Sequence, residues 1–275
     1  MNPHHVPGAG PLSLVRSLWG YRQLISVMIV REVSGRYRGS VMGLAWSFFN
    51  PILMLAVYTF VFSEVFQSRW PGQDNGKGGF AILLFTGMIV HGLFAECANR
   101  SPGLIVANSN YVKKVVFPLE VLTVVTVGAA IFHAFISLIV LLVAQLILTQ
   151  QLHASAIFLP LVLLPLLIAT LGFSWLLAAL GVYLRDIGQV ITVLTTVLLF
   201  ISPVLYPVAA LPEAYQPWLK LNPLTYIIEE SRNVLLFGRM PDWGSLGLAL
   251  LLGSLMAVAG FWFFQKTRKG FADVI

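Results

Sequence analysis

The sequence predicts an all-α integral membrane protein with six transmembrane helices, on three observations. First, 58% of its 275 residues are hydrophobic and only 10% are charged, against about 25% charged in an ordinary soluble domain. The mean hydropathy is +0.85, more apolar sequence than a soluble core of this length can absorb. Second, the apolar residues gather in six runs, near 41–66, 80–98, 119–148, 157–184, 187–208 and 245–264. About 20 apolar residues cross a bilayer as a helix, and hydrocarbon forces the backbone to pair within its own segment. Third, lysine and arginine divide unequally between alternate loops, as membrane topology requires.

Taken in order, "MNPHHVPGAGP" over 1–11 reads as a disordered leader, whose His4 and His5 are too few for a metal site. Residues 12–34 place Leu14, Leu18, Tyr21, Ile25 and Met28 at helical spacing, with Arg16, Gly20 and Gln23 on another face. With Trp19 beside them, they predict an amphipathic helix lying in the membrane interface. "REVSGRYRGS" then sets Arg31, Glu32, Arg36 and Arg38 directly before the first span, with Gly39 as a hinge after an arginine-flanked Tyr37. In that span, Phe48, Tyr58, Phe62 and Phe66 fall within about 80° of helical arc. Trp46, Phe49 and Phe60 fall within about 60° on a different face, and Pro51 predicts a kink.

Later spans carry faces of small and hydroxylated residues, the mark of helix packing in membranes. Span three aligns Thr126, Ala130, His133 and Ser137, span four Ser174, Ala178 and Gly181, and span five Thr192, Thr196 and Ser202. All three faces are predicted to point into a bundle. Spans four and five join only at "LRDIG". The stretch 209–243 is too charged to span. Its Asn222-Pro223 break and Gly238 bound a helix carrying Glu229, Glu230 and Arg232, predicted to be re-entrant or interfacial on the outer side. Glu229 and Arg232 stand at i, i+3 and can pair.

Orientation follows from the basic residues. Arg16, Arg22, Arg31, Arg36, Arg38, Arg100, Lys113, Lys114, Arg185, Lys266, Arg268 and Lys269 lie on one side, twelve in all. Arg69, Lys77, Lys220, Arg232 and Arg239, five in all, lie on the other. The twelve belong in the cytoplasm, which puts both termini inside. The formal charge of +6 is scattered at the ends of apolar runs rather than clustered, so nucleic acid is not an expected partner.

The chemistry is as informative for what it excludes. Cys97 is the single cysteine, which rules out an internal disulfide. The chain has no P-loop pattern for ATP, no H-E-x-x-H, no metal-spaced Cys/His cluster and no G-x-S-x-G. No catalytic residue and no metal site is expected, and a membrane transferase would need a nucleophile–base or carboxylate pair that does not stand out. A self-sufficient secondary transporter would need an ionisable cluster within the spans. Glu64, Glu96 and Glu120 sit near span ends, and none is expected to pair there. His133 is expected to bond between helices rather than relay protons. Arg36, Tyr37, Arg38 and Gly39 make a candidate site for an acidic headgroup. Trp46, Phe49 and Tyr58 are candidates for an aromatic path.

Five stretches, in register along essentially the whole chain, resemble ABC-2 type permeases that export polysaccharides. They are "REVSGRYRGSVMGLAWSFFNPILMLAVYTFVFSEVF", "NSNYVKKVVFPLEVL", "LRDIGQV", "FISPVLYP" and "NPLTYIIEESRNVLLFG". The resemblance is to O-antigen, capsule and teichoic acid exporters. It implies a homodimer in the bacterial inner membrane, each subunit bound to a separate cytoplasmic P-loop ATPase subunit that holds ATP and Mg, with no cofactor on this chain. It implies a polyprenyl-diphosphate-linked polysaccharide as substrate and a channel lined partly by aromatics. It also implies that Asn108, Asn110, Tyr111, Lys113, Lys114, Arg185 and Asp186 touch the ATPase. An ABC-2 permease for a small drug or lipid shares the fold and is one alternative; a self-sufficient secondary transporter or flippase is the other.

Overall fold

The computed structural model describes residues 10–66, 79–113 and 117–275. All but the last two residues of the expected leader therefore lie outside the described residues. In chain order the helices are α1 (Pro11–Gly20), α2 (Arg22–Arg36), α3 (Trp46–Tyr58), α4 (Gly79–Arg100), α5 (Leu104–Ala107), α6 (Ser109–Lys113) and α7 (Glu120–Thr149). They continue with α8 (Leu159–Tyr183), α9 (Ile187–Ile201), α10 (Gln216–Lys220), α11 (Pro223–Leu236), α12 (Trp243–Thr267) and α13 (Phe271–Val274). No strand occurs among the described residues. Among the described residues five helices are long and apolar enough to cross a membrane: Gly43–Val65, Gly79–Arg100, Glu120–Thr149, Ala154–Tyr183 and Trp243–Val274.

The predicted fifth span is the exception. Helix α9 covers 15 residues, about 22 Å of rise, against about 30 Å of hydrocarbon. Ser202 leaves the helix at φ −80°, ψ 152°. It precedes Pro203, whose ring excludes the helical conformation from the residue before it. The predicted interface helix is also two helices, broken at Tyr21 (φ −99°, ψ 13°). Rather than standing alone, it runs beside the first half of α7: Ser17 bonds Glu120, Ile29 fills the notch at Gly128, and Arg36 reaches His133.

Helix α4 is the centre of the bundle, with 67% of its apolar window buried, whereas the first span, at 11%, lies on the periphery. Within the first span α3 contains Pro51 and continues into a π-helical stretch, Thr59–Val65. Such widened turns rotate every following side chain. The most extensive helix pair is α8 with α12. It approaches backbone to backbone along glycines: a Cβ on Gly260 would stand 1.9 Å from the Gly172 carbonyl oxygen, and one on Gly253 2.7 Å from that of Pro165. Close approach of this kind replaces the hydrophobic drive that lipid cannot supply.

Of the faces predicted to point inward, Thr126, Ala130, Ser174, Ala178, Gly181 and Ser202 are buried, and His133 and Ser137 are half-buried. Thr192 and Thr196 correct the reading of span five. Both are exposed and return their hydroxyls to their own helix, at Gly188 O and Thr192 O. Thr195 is the buried one, donating to Asn99 Oδ1 at 3.1 Å.

Helix α11 is packed inside the bundle against α4 and α8, not laid on its surface. Asn222 caps it by accepting from Leu224 N at 3.0 Å, and Gly238 turns the chain beyond it at φ +66°. The buried Arg232 donates to Leu83 O (3.0 Å), Pro203 O (2.6 Å) and Val204 O (2.9 Å). It thereby ties α11 to the start of α4 and to the broken end of α9. At the other end of the molecule the wholly buried Glu120 accepts from Ser17 Oγ and from Arg268 Nη1, each at 2.9 Å. A carboxylate is tolerated there because two partners satisfy it. This knot draws α1, the start of α7 and the C-terminal segment to the same end of the bundle.

Candidate functional site

Helix α2 stops at Arg36 with Tyr37 as its C-terminal cap, and the chain turns back through Gly39 (φ +85°) and Gly43 (φ +51°). A Cβ at either glycine would meet nothing within 4 Å, so it is the left-handed backbone, not crowding, that selects glycine at the hinge. The turn leaves an open cleft of about 760 Å³ lined by Arg31, Glu32, Gly35, Arg36, Arg38 and Arg100. Arg100 comes from the last residue of α4, so the cleft is built by the hinge and the central helix together.

The charges in it are tied into one network. Arg36 Nη2 pairs with Glu96 Oε1 at 2.5 Å, and its Nη1 lies 3.1 Å from His133 Nδ1. His133 Nδ1 is itself 3.3 Å from Glu96 Oε1. Arg100 Nη2 pairs with Glu32 Oε1, and its Nη1 stands 3.7 Å from Glu96. Arg31 Nη2 donates to Tyr111 Oη at 3.3 Å. Arg38 is exposed, and its guanidinium has no hydrogen-bond or ion-pair partner among the described residues. Tyr37 sets its ring edge-on to His133 with centroids 6.2 Å apart. Burial raises its phenol above the ordinary value of 10.0, with Arg36 opposing.

Above the network, a crevice of about 220 Å³ opens between α3, α4 and α7, with Asn50, Tyr58, Glu96, His133 and Ser137 as its polar lining. Of the aromatic candidates only Tyr58 belongs to it, tilted against Phe85 with centroids 6.5 Å apart. Trp46 and Phe49 are exposed on another side of α3, packed edge to face with centroids 5.3 Å apart. The three therefore do not form one stripe within this chain, because the Pro51 kink and helical phase send them to different sides.

Of the candidates for partner contact, Asn110, Lys113, Arg185 and Asp186 are exposed. Asn108 spends its amide on Leu104 O at 2.9 Å. Tyr111 stacks on Phe117 with centroids 4.4 Å apart. Lys114 lies outside the described residues. The two loops are brought together at Pro102: Gly181 packs against its backbone, and a Cβ on Gly188 would lie 3.8 Å from its Cβ.

The expectation that no ionisable cluster forms between the spans needs correction. Glu96 of α4, His133 of α7, Arg36 of α2 and Arg100 form one. The Glu96–Arg100 spacing of i, i+4 was legible in the sequence. The meeting of three helices was not, because residue spacing says nothing about which helices adjoin. Glu32 and Arg100 are the site residues that sequence reasoning passed over. No group of three or more His, Cys, Asp or Glu able to hold a metal comes together among the described residues.

Residues 23–236 match the ABC-2 type transporter family. The chain is 29% identical over 266 residues to the O-antigen export system permease protein RfbA of Myxococcus xanthus, covering 96% of this chain and 100% of that protein. It is 25% identical over 253 residues to the O-antigen export system permease protein RfbA of Klebsiella pneumoniae, covering 92% and 95%. It is 26% identical over 231 residues to the polysialic acid transport protein KpsM of Escherichia coli, covering 82% and 84%.

Proposed function

Because the chain belongs to the ABC-2 type transporter family, we propose that it is the transmembrane subunit of an ATP-driven exporter that carries a lipid-linked polysaccharide of the O-antigen class out of the cytoplasm. The observation that carries this reading is an arginine-lined cleft at the foot of an aromatic first span, in a chain whose full-length relatives are named for O-antigen export. It is a multi-pass protein of the bacterial inner membrane, a transport subunit and not itself an enzyme.

Two copies of the chain form the pathway, and two cytoplasmic ATPase subunits hold the ATP and Mg. The ATPase docks on the end where Asn110, Lys113, Arg185 and Asp186 are exposed. The Glu120 knot at that same end joins the N-terminal helices to the C-terminal segment, which supports placing both termini in the cytoplasm. The sixth crossing is α9 extended by the non-helical residues 202–207, whose freed backbone groups lie inside the protein rather than in lipid. Helix α11 is the re-entrant segment beside it. The diphosphate of the lipid carrier approaches the arginine cleft, where Arg38 offers the free guanidinium and Arg36 the anchored one. The glycan then follows the first span. Since Trp46 and Phe49 point away from this chain's own bundle, they line the path only where the second copy faces them.

The test is export in a strain whose own gene is deleted. Loss of surface polysaccharide, with lipid-linked glycan retained on the cytoplasmic side, is the expected phenotype. Complementation with Arg36→Gln and Arg38→Gln combined should restore at most about a tenth of export, given that charge-assisted contacts to phosphate contribute about 1.5–3 kcal/mol each. Full export by that variant at normal protein level would overturn the headgroup role.

A further inference from the structure

Four guanidinium groups line the cleft, from Arg31, Arg36, Arg38 and Arg100. Against them stand two carboxylates, those of Glu32 and Glu96. The planar guanidinium fork matches phosphate oxygens two at a time, and the surplus positive charge suits a diphosphate. The two carboxylates differ in what would happen to them if an anion arrived. Glu96 is the more enclosed, with 21% of its side chain exposed, and would keep His133 at 3.3 Å if Arg36 turned to a ligand. Glu32 is 37% exposed and pairs with Arg100. It can swing into water with little desolvation.

Arg100 carries the second clue. One hand of its fork is taken by Glu32, while Nη1 is enclosed and has no hydrogen-bond acceptor among the described residues, with Glu96 out of bonding range at 3.7 Å. A buried donor left unmatched on a guanidinium is costly and uncommon. A phosphate oxygen in the cleft would satisfy it. We propose that Arg100 is a diphosphate ligand and that Glu32 is a built-in competitor, an internal anion that occupies Arg100 while the cleft is empty and is displaced when a diphosphate binds. This deepens the headgroup reading given above and rests on it.

The displacement has a structural consequence. The Glu32–Arg100 and Arg36–Glu96 pairs tie α2 to the end of α4, whereas packing at Gly128 ties α2 to α7. Exchange of Glu32 for a ligand removes the first pair, Arg36 turning to the ligand removes the second, and the packing at Gly128 stays. Headgroup capture thus loosens the hinge helix from the central helix on the side where the lipid must pass.

The test is a binding titration of the full-length chain with its ATPase partner in lipid nanodiscs, using farnesyl diphosphate, inorganic pyrophosphate and farnesol as probes. Arg100→Gln should weaken farnesyl diphosphate binding by about tenfold or more. Glu32→Gln should tighten it by roughly two- to fivefold, the value of a part-exposed ion pair. If Arg100→Gln does not fold, Arg100→Lys keeps the charge but loses the fork and should also weaken binding. Tight pyrophosphate binding with the same Glu32→Gln gain assigns the cleft to the free anion and still supports the competition. Unchanged or weaker binding by Glu32→Gln, while Arg100 and Arg36/Arg38 variants lose binding, overturns the competition and leaves the headgroup reading standing. Arginine variants that all bind like wild type, or farnesol binding as tightly as farnesyl diphosphate, overturn both.

Discussion

Replacing Gly260 by alanine adds one methyl group where α12 meets α8. Its Cβ would stand 1.9 Å from the Gly172 carbonyl oxygen and 2.6 Å from the carbonyl carbon, and side-chain carbons essentially never come closer than 3.0 Å. The obstacle is backbone, so no rotamer change relieves it. The helices must part by at least about 1 Å along this seam, and a gap of 0.5–1 Å already forfeits roughly a quarter to a half of each dispersion contact it opens. Overpacking a closed interface costs about 1–3 kcal/mol, and the stacking of Gly253 and Gly172 on the same seam, each also under 3.0 Å from opposing backbone, argues for the upper end. Thermal unfolding of the purified protein in detergent should fall by roughly 4–10 °C. Gly247→Ala is the internal control, because a Cβ there meets nothing within 4 Å. If Gly260→Ala unfolds at the same temperature as Gly247→Ala, the seam is not held by backbone proximity and the reasoning fails.

Arg232→Gln leaves the carbonyls of Leu83, Pro203 and Val204 without their guanidinium donors and should cost about 3–5 kcal/mol, seen as a large loss of protein from the membrane fraction. Arg232→Lys should recover only part of it, and wild-type levels for the glutamine variant would contradict the tie between α11 and α9. Asp242 caps α12 from outside the span. Hydrogen bonds from Ser245 first and then Gly244 hold its carboxyl below the ordinary 3.8. The cap's stabilisation is therefore complete above that ordinary value and is lost as pH falls through the lower folded one. Asp242→Asn keeps an acceptor but does not titrate, so its unfolding temperature between pH 5 and pH 3, roughly the window of an aspartate, should decline less than that of wild type. An equal decline would remove Asp242 from the acid response.

Hydropathy alone determined the membrane class and the positions of five long helices, four of them within three residues at each end, because desolvation is a local property of each segment. The Asn222-Pro223 start and the Gly238 turn of α11 were legible for the same reason: caps and left-handed glycines act over single residues. The end of α9 at Ser202-Pro203 was legible too, through the rule for the residue before proline, but the apolar run masked it. Tertiary structure decided the rest. Lipid and protein interior are equally apolar, so periodicity names a face without saying what covers it, and Thr195 rather than Thr192 or Thr196 turned inward. Charges are placed by neighbours: Arg36 meets Glu96 and His133, and Arg100 meets Glu32, across gaps of 97 residues or fewer that no spacing rule connects. The arginines before the first span were readable as a topological signal. That Glu96 already occupies Arg36, and Glu32 the neighbouring Arg100, followed only from folding α2 along α7 and against the end of α4, since interhelical contacts depend on packing that the residue order does not contain.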